Sequence, residues 1–131
     1  MEFVRADLLT MESDGSSTTG SLLGLRSLDL LCANLPYIPS EVLPGLDNYG
    51  REPDLALDCG AGGLSLIRSL LKSAPDYMAA GGCVLLEIEA GQGEAVKELA
   101  CQTFHTAQVR VFPDLAGKNR MLEVVLPLDV Q

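Results

Sequence analysis

Four consecutive residues carry the clearest chemistry in the chain: Asn34-Leu35-Pro36-Tyr37. A planar nitrogen, such as an amide or an exocyclic amine, is a poor nucleophile. A protein can hold such a group by accepting its N–H hydrogens with an Asn side-chain carbonyl and a neighbouring backbone carbonyl. An aromatic face can then clamp the group for attack, which is positioning and electrostatic complementarity and needs no strong base. A strand end followed by a proline turn, with Tyr37 as packing, spells the same four letters. Three other side chains are weaker candidates. Asp7 could accept hydrogen bonds from a ligand or stand as an exposed turn carboxylate. Glu87 lies in an apolar run, either near a ligand cleft or solvated at an edge, and the structural role is preferred. His105 is a lone histidine at a helix end.

These residues need a scaffold. Leu28 to Asn34 is a short apolar run that suits a buried strand. Pro36 stops it, since proline lacks an N–H and restricts its predecessor. Asn34 and Tyr37 are thereby predicted at the carboxyl end of a strand, where open α/β sheets take their ligands. Upstream, residues 2–9 read as a short strand running into an acidic loop, and 10–27 as a Ser/Thr/Gly-rich flexible linker. Downstream, residues 35–63 hold four of the seven prolines, and their scattered Ile, Val and Leu residues favour a folded, substrate-facing loop.

The spacing of Leu64, Ile67, Leu70 and Leu71 predicts an amphipathic helix, broken or kinked at Pro75 and closed by Gly81-Gly82. Cys83 to Glu89 reads as a strand. Gln92 to Phe104 reads as a second helix, with Ala95, Val96, Leu99 and Ala100 inward and Glu94 in the first turn, as the helix dipole favours. Gly91-Gln92-Gly93 is too short for a phosphate-binding loop. Gln108 to Phe112 and Arg120 to Leu126 are predicted as an antiparallel pair about the turn Pro113 to Asn119. The succession gives a three-layer α/β arrangement, with 28–34 beside 83–89, then 120–126, and 108–112 outermost.

The totals exclude several classes. At 131 residues this is one domain or part of one. A formal net charge of −9 argues against a general nucleic-acid-binding surface, which needs a basic footprint. Cys32, Cys59, Cys83 and Cys101 form no Cys-x-x-Cys pair, so no zinc site is predicted and the thiols read as reduced, in a cytoplasmic protein. Met-Glu-Phe-Val-Arg begins no signal peptide, and no apolar run is long enough to span a bilayer.

With Asn34-Leu-Pro-Tyr37 placed, the chain resembles the C-terminal part of the catalytic domain of the release factor glutamine methyltransferases. The tetrapeptide is similar to the Asn/Asp-Pro-Pro-Tyr signature of amino-methyltransferases. The likeness continues through Ile38-Pro39, Tyr49-Gly-Arg-Glu52-Pro53, Ala56-Leu57, Gly63-Leu64, Gly81-Gly82 with Leu85-Leu86-Glu87, and Asp114-Leu-Ala-Gly117 with Arg120. Ala6-Asp7-Leu8 looks like the family's Gly-Asp-Leu strand end.

The resemblance implies the C-terminal half of a class I S-adenosylmethionine-dependent methyltransferase sheet, Rossmann-like, ending in an antiparallel hairpin. It covers residues 1–131 as one partial domain: a strand segment at 1–9, a linker at 10–27 and a core at 28–131. It implies methyl transfer from S-adenosylmethionine to a glutamine side-chain nitrogen of peptide chain release factors. Asn34, Pro36 and Tyr37 would then be catalytic, with Asn34 and the Leu35 carbonyl binding the amide and Tyr37 packing on it. Leu35, Ile38, Glu52 and Pro53 would face the substrate, and Asp7 would lie near the adenine. Two other readings stay open: a non-catalytic binding or assembly module derived from a methyltransferase, and a nucleic-acid adenine N6-methyltransferase-like protein.

Three departures stand out. Leu35 replaces a proline. Cys59-Gly-Ala-Gly-Gly-Leu64 replaces a Gly-Gly-x-Asp-Gly-Leu stretch. The family's glycine-rich cofactor loop and the strand after it are not found in this sequence. The outer edge of strand 28–34 is therefore expected to be covered by a second copy of the chain, as a homodimer or domain-swapped pair, or by the chain's own residues 2–6.

Overall fold

The computed structural model describes residues 6–11, 24–36 and 64–128. Residues 12–23 of the expected linker at 10–27 and residues 37–63 of the expected loop at 35–63 lie outside the described residues, and with them Tyr37, Ile38, Glu52 and Pro53, whereas Thr10–Met11, expected in the linker, is strand. The elements are β1 (Ala6–Asp7), β2 (Thr10–Met11), β3 (Leu28–Asn34), α1 (Ser65–Tyr77), β4 (Met78–Glu87), α2 (Gly93–Thr103), β5 (Gln108–Pro113) and β6 (Asn119–Val125).

Four strands form one sheet in the order β3-β4-β6-β5, the order read from the sequence. β3 and β4 run parallel, and β6 is antiparallel to both β4 and β5. Opposed residues share a face, so the register sorts the sheet into two surfaces. Ala33, Leu86, Leu122 and Val111 make one row across all four strands, and Leu31, Val84, Val124 and Val109 make the next. This face meets Ile67, Leu70, Leu71 and Ala74 of α1 and Val96 and Ala100 of α2 in one buried core. Full burial of each large aliphatic side chain there contributes about 1.5–3 kcal/mol.

The opposite face carries Asn34, Glu87, Met121 and Phe112 in its first row. Cys32, Leu85, Glu123 and Arg110 follow, then Leu30, Cys83, Val125 and Gln108. Both helices contribute to the same core, so the described residues form two layers rather than the expected three.

Several boundaries differ from expectation, each for a local reason. Pro75 does not break α1. It removes one N–H only two residues before the helix ends, and the helix closes with the Met78 N–H donating to the Ala74 carbonyl. β4 begins at once with Met78, five residues before the expected Cys83. Between the pairs Leu28–Met78 and Leu30–Cys83, β4 spends three more residues than β3. Gly81 and Gly82 occupy this irregularity instead of ending the helix. Gly81 has φ 74°, a left-handed conformation that costs glycine little, and its N–H donates to the Pro127 carbonyl at 2.9 Å. A Cβ on Gly82 would lie 2.9 Å from the Ala79 carbonyl oxygen and 3.0 Å from that of Leu28.

At its other end β4 stops at Glu87 rather than Glu89. The Glu89 carboxylate turns back to accept the Gly91 N–H at 2.7 Å and caps a short 3-10 turn, Ala90–Gln92, that leads into α2. In α2, Val96 and Ala100 are buried and Leu99 packs against the core, whereas Ala95, expected inward, is exposed.

The N-terminal segment also departs from one strand through residue 9. Ala6 pairs with Met11 and Asp7 with Thr10, so the chain reverses at Leu8-Leu9. Leu8 adopts φ 54°, unusual for a leucine, and Leu9 enters the core. Residue 6 therefore pairs within this hairpin and not with β3. Among the described residues the outer edge of β3 has no strand partner.

Candidate functional site

β3 delivers Asn34 to the carboxyl end of the sheet. There a cleft of about 380 Å3 is lined by Cys32, Asn34, Leu85, Glu87, Arg120 and Met121 together with Ala33 and Leu86. Asn34 is exposed, and neither its side chain nor that of the half-buried Glu87 has a hydrogen-bond or ion-pair partner among the described residues. The two are opposed across β3 and β4, so their side chains leave the same face of the sheet. Leu85 and Met121 supply an apolar wall beside these open polar groups. Such a cleft suits a ligand with an amide head on a short aliphatic stem.

Leu35 continues the alternation and packs against the hydrophobic core. Its side chain is thus committed to stability, which leaves its backbone carbonyl as the part able to accept a hydrogen bond. Pro36 is half-buried directly beyond.

The rim of the cleft is fixed by the β5–β6 turn. Asp114 accepts the N–H groups of Ala116 and Lys118 at 2.9 and 3.0 Å, and Arg120 approaches its other oxygen at 3.4 Å. The Lys118 N–H, above all, and then the Ala116 N–H and the Arg120 guanidinium hold the Asp114 carboxyl below its ordinary range. On the same face, Arg110 Nε donates to Glu123 at 2.7 Å and its guanidinium lies 5.3 Å from the Phe112 ring centre. Cys83 sits behind these groups. Burial first, then the charge of Glu123, pushes its thiol pKa up.

The sequence candidates separate accordingly. Asn34 lines the cleft, and Leu35 and Pro36 follow it in the chain without lining it. Asp7 belongs to the N-terminal hairpin, away from the four-stranded sheet in pairing, and its side chain is not among those described. His105 lies at the amino end of the strands, in a separate cleft with Arg26, Met78, Thr103, Phe104 and Leu126. Arg120 and Met121 are not read from the sequence as cleft residues, and Glu87 is weighed there for a cleft but assigned a structural role. For Glu87 the signal was available: a carboxylate closing an apolar parallel strand sits beside whatever closes the neighbouring strand.

A methyl donor of the S-adenosylmethionine kind needs a backbone cradle, usually a glycine-rich turn directly after a strand, and an acidic residue for its ribose. Among the described residues β3 runs instead into Asn34-Leu35-Pro36, and no glycine-rich turn follows a strand with such an acid behind it. The described residues therefore do not supply a cradle for the donor's nucleoside.

No family profile matches the chain. A solved structure does: the release factor-specific protein-(glutamine-N5) methyltransferase from Alicyclobacillus acidocaldarius, with TM-score 0.53 and 24% identity. The overlap covers 78% of this chain and 50% of that one. The fold is consistent with the C-terminal part of a class I methyltransferase sheet.

Its sequence relatives are release factor glutamine methyltransferases. That of Moorella thermoacetica is 48% identical over 100 residues, covering 76% of this chain and 35% of the relative. That of Caulobacter vibrioides is 39% identical over 118 residues, 88% of this chain and 40% of the relative. That of Lactococcus lactis is 30% identical over 126 residues, 95% of this chain and 42% of the relative. The chain thus spans about a third of the length of the curated relatives it matches first.

Proposed function

We infer that the chain supplies the acceptor-binding part of a methyltransferase that modifies a glutamine side-chain nitrogen in peptide chain release factors. One observation carries this: Asn34 closes a parallel strand with its amide uncommitted, at a cleft with an apolar wall. Asn34 Oδ1 accepts one N–H of the substrate amide, and the Leu35 carbonyl accepts the other. Pro36 fixes the backbone direction after Leu35. Tyr37 packs on the amide plane, and Ile38, Glu52 and Pro53 line the approach of the release factor loop. The two acceptors draw electron density toward the amide nitrogen and hold its plane for in-line attack, a gain in orientation rather than in basicity. S-adenosylmethionine is the methyl source by kinship, with Asp7 toward its adenine, and the protein acts in the cytoplasm.

The edge of β3 that has no strand partner among the described residues pairs with a second copy, giving a homodimer.

Calorimetric titration of the purified chain with S-adenosylmethionine, followed by methyl transfer to a release factor, tests the reading. Saturable binding and transfer abolished by Asn34→Ala support it. Absence of heat and of transfer confines the reading to the parent fold and leaves this chain without the activity.

A further inference from the structure

The Asn34 side chain has a problem that its position alone does not solve. A primary amide presents an acceptor on one side and two donors on the other. Only one of its two flips aims Oδ1 at the substrate N–H; the other aims Nδ2–H2 there and repels it. Something must choose the flip. Asn34 is exposed and has no partner among the described residues that makes this choice.

The group opposed to it does have the required chemistry. Glu87 is the register partner of Asn34 across the parallel pair β3–β4, at the last residue of each strand. Adjacent strands lie about 4.8 Å apart, and opposed side chains leave the same face. An ionised carboxylate only accepts. It can satisfy the Nδ2–H2 side of Asn34 and cannot satisfy the Oδ1 side. Glu87 is half-buried, lines the same cleft, and has no hydrogen bond or ion pair among the described residues. The other carboxylates around the cleft are committed. Glu123 holds Arg110, Asp114 holds Arg120 and its own turn, and Glu89 caps Gly91.

We propose that Glu87 is a positioning residue: its carboxylate accepts a hydrogen bond from Asn34 Nδ2 and so sets the flip that points Asn34 Oδ1 at the N–H of the acceptor amide. A side-chain rotation at the strand ends brings the two together. The proposal rests on the acceptor-site reading of Asn34 for its catalytic consequence, whereas the Glu87–Asn34 pair itself does not depend on methyl transfer.

The test separates the two. In the 15N-labelled 131-residue chain, the side-chain NH2 signals of Asn34, assigned by their loss in Asn34→Asp, are followed from pH 7 to pH 3. The charged or titratable groups around Glu87 are Cys32 on β3, Cys83 and Glu89 on or just after β4, Arg120 and Glu123 on β6, and Arg110 and Asp114 on β5 and its turn. All of these remain in Glu87→Gln, so that variant removes one titration and leaves the rest. The Asn34 signals are expected to titrate in the wild type and to stay flat in Glu87→Gln. Signals that are flat in the wild type, or that titrate equally in Glu87→Gln, overturn the pair. Where transfer to a release factor is measurable, Glu87→Ala is expected to lower kcat about tenfold with KM nearly unchanged, the loss of roughly one oriented hydrogen bond. An unchanged kcat overturns the positioning role. An absence of transfer in the wild type with the titration intact counts against the acceptor-site reading and leaves the pair standing.

Discussion

Asn34 and Asp114 show how differently two polar residues at one end of a sheet can be used. Asn34 is exposed, and its side chain adds to folding only through the hydrogen bond proposed with Glu87. Asn34→Ala should therefore lower the unfolding free energy by no more than about 1 kcal/mol, the loss of one exposed hydrogen bond. If the chain transfers methyl groups, the same change should cost about a hundredfold in kcat, on the scale of one preorganised donor or acceptor lost from a water-poor site. Asp114 is the reverse. Its backbone and guanidinium partners lower its pKa in the folded state. A carboxyl depressed on folding adds stability that is present above its unfolded pKa and fades as pH falls through the folded one. Thermal melts of wild type and Asp114→Asn should differ most near neutral pH and converge in acid below the ordinary value of 3.8. A difference that persists undiminished at the acid end would locate the effect in the turn's geometry rather than in charge. Cys83 offers a third check. Burial raises its thiol pKa, so alkylation at pH 8 should modify it after the exposed Cys101.

At the scale of elements, the sequence was legible where one residue periodicity decided the structure. The stripe of Ile67, Leu70 and Leu71 announces α1 because those side chains, with Ala74, bury it. The run from Leu28 announces β3, and the turn at Asp114 to Gly117 announces the hairpin that returns β6 between β4 and β5. Boundaries set by distant partners were not legible. Gly81-Gly82 looks like a helix terminator in local chemistry. Its actual reason is tertiary, since the Leu28 carbonyl passes close to Gly82 across the sheet. Leu8 at positive φ gives no turn signal at all. The reversal there is driven by burying Leu9 and overrides local preference. In the site, Asn34 was read from its motif, while Glu87 required knowing which residue of β4 meets it. Gly82→Ala should accordingly destabilise by about 1–3 kcal/mol, because a backbone carbonyl cannot give way as a side chain does. Glu89→Ala should cost about 1 kcal/mol through the lost cap. Urea unfolding followed by circular dichroism would measure both, and a neutral Gly82→Ala would show that the bulge relaxes freely.

For the whole molecule the decisive features are an open strand edge, one sheet face without a helix among the described residues, and a strongly negative charge. Among the described residues β3 has no strand partner on one edge, and Leu30 upon it is 56% exposed. An apolar edge of this kind recruits another strand. The formal charge of −9 opposes bringing two copies together, and salt screens that repulsion within about 10 Å at 0.1 M ionic strength. The two effects predict an unusual sign: association that strengthens as salt is added, where contacts between opposite charges would weaken. Sedimentation equilibrium of the wild-type chain should show a mass rising with concentration, more steeply at 0.5 M than at 0.05 M salt. Leu30→Lys places a charge on the edge and should return the chain to monomer at both salts. If the wild type is monomeric throughout, β3 is not the interface. If it associates but Leu30→Lys associates equally, contact is made elsewhere, and the edge beside Asn34 stays free for whatever completes the donor side of the site.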